Sequence, residues 1–154
     1  MNDLYEKYIE FVPTTRLEST SLQSLLFEVV EEFTELLACD TPSAIIMEAG
    51  DFFWAYVALK LEIGATISFT YYLHRKNNYE IISEVSGLAK RLIRDYNSIP
   101  TDEWVKSLNS ALDEMHHMVL KILSDDELKL ALCYNMYKLE ERRKNGELKS
   151  TNRN

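Results

Sequence analysis

Apolar residues recur at helical spacing along most of the chain. Leu22, Leu25, Leu26, Val29, Val30, Phe33, Leu36 and Leu37 fall three or four positions apart and predict an amphipathic helix over residues 20–39. Glu28, Glu31, Glu32 and Glu35 occupy much of its other side, the usual place for a solvated face. Upstream, Leu4, Tyr5, Tyr8 and Ile9 predict a short helix over residues 2–12, interrupted at Pro13. Thr41 and Pro42 form a helix start, because a threonine oxygen caps free N–H groups and proline has none to satisfy at the first position. The helix that follows runs to about Glu62, with Gly64 as its stop. From Phe52 to Leu59 it is apolar all round, so its own bundle or a second subunit must cover it.

The downstream half continues in the same way. Residues 66–75 are rich in β-branched and aromatic side chains, and helix is preferred over strand there. Ile81, Ile82, Val85, Leu88, Leu92 and Ile93 form the apolar stripe of a helix over 79–96. Pro100 and Thr101 open another that reaches Leu123, and Ser124 with Glu127 makes a capping box for a last helix to about Lys144, ended by Gly146. The expected architecture is an all-α helical bundle in a single domain over residues 1–149, followed by a flexible polar tail at 150–154.

Composition agrees with this reading. A chain of 154 residues is one domain by size, and only 4 Gly and 3 Pro leave few turns for a β-fold. The net charge of -8 argues against a nucleic-acid polymer as partner, since phosphate backbones need clustered Lys and Arg. A nucleotide is still bindable if a divalent metal supplies positive charge. Cys39 and Cys133 imply no disulfide framework and lack metal-ligand spacing; both are expected as small core residues. No signal peptide or membrane span is legible, so a cytoplasmic protein is expected.

Two carboxylate pairs carry the candidate chemistry. Glu32 and Glu35 are three apart, as are Glu48 and Asp51, and residues three apart share a helix face. The turn between the two helices is short, so they should pack antiparallel and bring four carboxylates together. Converging carboxylates repel one another, and a hard divalent cation resolves the conflict. All-oxygen ligation suits Mg²⁺ or Mn²⁺, and the chemistry this favours is attack of an activated water on a phosphoryl group. Taken alone, Glu28 to Glu35 are better explained as a solvated acidic face. Glu48 and Asp51 differ, because they sit among Ile45, Ile46, Met47, Phe52, Phe53 and Trp54. Glu28 and Glu31 form an alternative first pair.

The segment EEFTE at 31–35, twelve intervening residues, and EAGD at 48–51 resemble the EExxE…ExxD signature of the MazG-like, all-α nucleoside triphosphate pyrophosphohydrolases. Downstream, NMYKLEERRKNGEL at 135–148 is similar to the N-x-x-K-L-x-x-R…G segment of that family, bacteriophage-type members included. The resemblance covers roughly residues 22–64 and 126–149. It implies Mg²⁺ bound by Glu32, Glu35, Glu48 and Asp51, with Glu31 orienting or deprotonating the water. It implies triphosphate contacts from Lys138 and Arg142, with Asn135 and Arg143 as weaker candidates. The implied reaction is hydrolysis of an NTP or dNTP to the monophosphate and pyrophosphate, for nucleotide-pool sanitation or adjustment. A homo-oligomer, dimer or tetramer, is implied by the family and by the fully apolar helix. Residues 65–125 have no counterpart in the resemblance.

Rival readings remain. Trp54, Phe53 and Tyr56 lie one turn beyond Asp51 and are candidates to wall a base pocket, although core packing is the commoner fate of such residues. Glu114-x-x-His117 matches half of a di-iron bundle motif, but Tyr71 stands where His74 would need a glutamate, so a second motif is missing. His116 and His117 are expected at the helix surface or core edge. The alternative to an enzyme is a non-catalytic helical interaction module that keeps the fold.

Overall fold

A computed structural model describes residues 2–67 and 76–148. Within them the chain forms six helices and no strand: α1 (Asn2–Thr15), α2 (Leu22–Leu37), α3 (Pro42–Glu62), α4 (Asn78–Arg94), α5 (Asp102–Lys121) and α6 (Asp125–Lys144). The all-α expectation holds for the described residues. The assignment of 66–75 falls almost wholly on residues 68–75, outside them, as do His74, Tyr71 and the tail at 150–154.

The helix limits follow local chemistry. Thr41 Oγ1 accepts from Ala44 N–H and Pro42 occupies the first turn of α3. Gly64 ends that helix at φ +68, where Ala65 N–H reaches back to Lys60 C=O at 2.9 Å; only glycine enters this left-handed region without steric cost. Ser124 and Glu127 close the capping box of α6. Pro13 departs from expectation: α1 runs through it to Thr15. Proline there forgoes a single hydrogen bond in the last turn. The Thr14 and Thr15 hydroxyls donate back to Phe11 C=O at 2.6 Å and Val12 C=O at 2.9 Å.

α3 is the central helix, packed against α1, α2, α5 and α6, while α4 packs on α2 and α5. This explains its uniform apolarity: Phe52, Phe53 and every residue from Ala55 to Lys60 are buried by the chain's own helices. A second subunit is not needed to cover it. The stripe of α4 is narrower than its sequence implies, since Ile93 is 47% exposed while Ala89 takes a buried place. No helix among the described residues is long and apolar enough to cross a membrane.

Candidate metal centre

α2 and α3 form a hairpin, and its register is readable from the acidic residues. Glu35 lies beside Glu48, and Glu32 reaches both Glu48 and Asp51. Rising numbers on one helix meet falling numbers on the other, as antiparallel packing requires. One carboxylate oxygen each from Glu32, Glu48 and Asp51 lies within 4.8 Å of the others. Octahedral Mg²⁺ with bonds near 2.1 Å holds its oxygens about 3.0 Å apart when adjacent and about 4.2 Å when opposite. The three oxygens therefore approach the spacing of a shared hard cation.

Burial separates the acidic residues of α2. Phe33 and Leu36 lie in the core, so the stripe they mark carries Glu32 inward with them, to 3% exposure, and Glu28 to 6%. The solvated-face reading thus fails for these two. Glu31 and Glu35 are exposed. Between the two possible first pairs, Glu32 rather than Glu31 joins Glu48 and Asp51.

The cluster is electrostatically loaded. Burial raises the Glu48 carboxyl above its usual pKa, and the charges of Asp51 and then Glu35 push in the same direction. Hydrogen bonding with Glu35 raises it further, while that with Glu32 opposes the shift. Oε2 of Glu48 is shut off from water and receives no hydrogen bond. A desolvated carboxylate oxygen without a donor is costly as an anion, and a divalent cation is the partner that its neighbours' charges also favour. The donor set is all oxygen, which fits Mg²⁺ or Mn²⁺.

α6 closes the other side. Lys138 Nζ lies 2.5 Å from Asp51 Oδ1, and Asn135 Nδ2 donates to the same oxygen at 3.3 Å. Asn135 is itself fixed by Tyr8, whose hydroxyl lies 2.8 Å from Asn135 Oδ1 and 3.3 Å from Gly50 C=O. Burial, and then the charge of Asp51, hold the Tyr8 hydroxyl well above its usual pKa, so it remains a donor. Gly50 makes the approach possible. A Cβ there would stand 2.9 Å from both Ala131 C=O and Asn135 Cβ. Backbone on one side and a helix-borne Cβ on the other leave no room to yield.

The remaining candidates are spread more widely. Arg142 is half-buried one turn beyond Lys138. Arg143 is engaged by Glu140 at 2.5 Å on the exposed side of α6. Trp54 is half-buried with its indole N–H donating to Thr15 Oγ1 at 2.8 Å, which ties it to the end of α1. Phe53 and Tyr56 are wholly buried in the core and cannot wall an open pocket. Tyr8 and Gly50 had no recognisable signal in sequence: one read as an ordinary apolar position, and the other stood only as a letter of the EAGD segment.

Two expectations are corrected. His116 and His117 are core residues, 1% and 0% exposed. His116 stacks on Tyr56 with centroids 4.4 Å apart and meets Phe53 edge-on. Cys133 is exposed on α6 and Cys39 is half-buried at the end of α2, so neither is a core residue. The cause is helical phase: α6 turns Leu132 inward, and its neighbour Cys133 outward. The carboxylate group described above is the grouping of potential metal ligands found among the described residues, and it contains neither Glu114 nor His117.

A second buried polar group went unread in sequence. Lys60 is 0% exposed and lies between Asp113 at 2.5 Å and the Asn109 side-chain carbonyl, with the Tyr56 hydroxyl 3.3 Å from the same Asp113 oxygen. It joins α3 to α5 and faces away from the carboxylate hairpin. No known protein family, no curated protein and no solved structure matches the chain.

Proposed function

We propose that the protein is a Mg²⁺-dependent nucleoside triphosphate pyrophosphohydrolase of MazG-like type. The observation that carries this is the convergence of Glu32, Glu48 and Asp51, with Glu35 beside Glu48, across one antiparallel hairpin and next to Lys138. A hairpin that gathers like charges at a stability cost is best explained by a cation that offsets them. The motif resemblance over 31–51 and 135–148 supplies the reaction class.

In this reading Glu32, Glu35, Glu48 and Asp51 hold the cation. A divalent ion there supplies positive charge for triphosphate oxygens and acidifies water. Glu31, exposed on α2 beside Glu32 in sequence, orients the water or takes its proton. Asn135 and Lys138 hold Asp51 in place in the resting protein. Lys138 and Arg142 offset charge on the departing pyrophosphate, with Arg143 a lesser contributor. Trp54 lies one turn from Asp51 with part of its surface open, and is the aromatic residue available to a base. The product pair is a nucleoside monophosphate and pyrophosphate, which suits nucleotide-pool sanitation or adjustment.

Oligomerisation belongs to the same proposal. Leu130, Tyr134 and Tyr137 repeat at i, i+4 and i+7 on α6 and are 56%, 38% and 68% exposed. An apolar stripe on the helix that carries Lys138 is a surface for a second copy.

The test is pyrophosphate release from a panel of canonical and modified NTPs and dNTPs with Mg²⁺ or Mn²⁺, using wild type, Asp51→Asn and Glu48→Gln. Release by wild type with a loss of at least about 10²-fold in both variants is expected. Silence of folded wild type across the panel overturns the proposal in favour of a helical interaction module.

A further inference from the structure

We propose that the cleft between α4 and α5 is a second binding site, for a small molecule bearing a phosphate group, held by Arg91, Lys106 and the hydroxyls of Ser107 and Ser110. The cleft is a solvent-open groove of about 600 Å³, lined by Lys76, Ser83, Glu84, Gly87 and Leu88 as well as these residues. That volume lies within the range of small-molecule sites. It does not rest on the metal-centre reading, since none of its residues belongs to α2, α3 or α6.

Charge is the first argument. The chain carries a net charge of -8, yet among the described residues that line this cleft three of the four charged ones are cations. Lys76 is paired with Glu84. Glu80 and Glu114 also act on Lys76, whereas Arg91 and Lys106 have no ion-pair partner among the described residues, so two cations are left to meet a ligand. A phosphate dianion matches both, and a single carboxylate would match one. Arg91 lies in the last turn of α4, where a cation also complements the helix dipole. Lys106 stands in the N-terminal half of α5, where the dipole gives no such reason.

Donor chemistry is the second. A guanidinium offers paired N–H groups to phosphate oxygens, an ammonium adds a point charge, and serine hydroxyls donate from either side. Ser83, Ser107 and Ser110 have no hydrogen-bond partner for their hydroxyls among the described residues, so all three remain available to a ligand.

Gly87 is the third, and it is independent of charge. Glycine weakens a helix interior relative to alanine. At Gly50 close packing explains the glycine; at Gly87 an added Cβ would meet nothing within 4 Å. Packing therefore does not account for it. Its effect is to lower the α4 wall and let a ligand approach the helix backbone between Ser83 and Arg91. The acidic remainder of the surface disfavours a nucleic-acid strand, and the volume of the cleft suits a small molecule.

The test is a titration of the full chain with inorganic pyrophosphate in EDTA, followed by amide shifts in nuclear magnetic resonance. EDTA keeps the carboxylate cluster from binding the probe through metal. Saturable shifts at Ser83, Gly87, Arg91, Ser107 and Ser110 are expected, with binding weakened at least tenfold in Arg91→Glu and Lys106→Glu. Gly87→Leu, which fills the cleft without touching a charge, should abolish them while leaving the remaining spectrum intact. Shifts confined to Lys138 and Arg142, no saturable shifts, or equal binding by all variants overturns the proposal. A protein inactive on nucleotides that still binds here would leave the cleft standing and remove only the enzymatic reading.

Discussion

Lys138 and Asp51, 87 residues apart in sequence, meet at 2.5 Å with less than a fifth of either side chain exposed. The contact makes α6 the third wall of the carboxylate hairpin. It also supplies one positive charge to a group of four carboxylates, which leaves the cluster under-neutralised.

Lys138→Met should therefore cost about 1–2 kcal/mol of stability in metal-free protein, the scale of a lost charged hydrogen bond. Added Mg²⁺ should recover a large part of that loss, because the ion takes over neutralisation of Asp51. Urea unfolding with and without Mg²⁺ measures both quantities. An identical loss in the two conditions would show that no cation reaches Asp51.

Gly50→Ala tests the helix contact on which this geometry depends. The new Cβ meets a backbone oxygen and a Cβ at 2.9 Å, so α3 and α6 must separate. A destabilisation of about 1–3 kcal/mol is expected, typical of overpacking. Asn135 and Lys138 should also withdraw from Asp51, lowering activity more than the stability loss explains. A variant of unchanged stability would mean that the helices can slide at no cost.

His116 gives a pH prediction away from the carboxylates. Its pKa is lowered from 6.5 to about 3, by burial first and then by His117 and Lys60. The groups around it are His117, the Lys60 ammonium and the aromatic faces of Tyr56 and Phe53. The unfolded chain takes up a proton near pH 6.5, whereas the folded chain resists to about 3. Its contribution is thus complete above 6.5 and lost as pH falls toward 3. His116→Phe should flatten the dependence of unfolding free energy on pH in that window. Parallel curves for the two proteins would assign the acid sensitivity elsewhere.

Lys60→Met removes a buried cation and leaves Asp113 and Asn109 without it. Asp113 keeps 31% exposure and can be rehydrated, so the loss should be about 1–3 kcal/mol, below the full penalty of a wholly buried pair. Adding Asp113→Asn should recover part of it. Strict additivity in a double-mutant cycle would mean that the two residues do not interact.

Comparison of particular elements shows where sequence reasoning reaches and where it stops. Thr41, Gly64, Ser124 and Glu127 act through hydrogen bonds to residues within about five positions, and Pro42 through its fixed φ and missing N–H, so their roles are readable locally. The spacing of Glu32, Glu48 and Asp51 is readable too, because helix periodicity and a short turn determine the hairpin. Pro13 misled: its missing hydrogen bond is tolerable in a last turn and would not be in mid-helix. The basic cleft on α4 and α5 had no motif, since its cations come from separate helices with no regular spacing.

The sequence by itself determined the six helices of the described residues, most helix limits, and two carboxylate pairs facing one another; the further helix expected over 66–75 lies almost wholly outside those residues. Tertiary structure alone decided that Glu32 is buried and Glu31 is not, and that Tyr8 and Gly50 seat Asn135 against Asp51. It also decided that His116, His117 and Lys60 lie in the core while Cys133 faces out. The reason is physical. Helix formation and capping are governed by contacts a few residues apart, whereas burial and the meeting of distant side chains depend on which helix covers which face. Only the packed arrangement of all the helices specifies that covering.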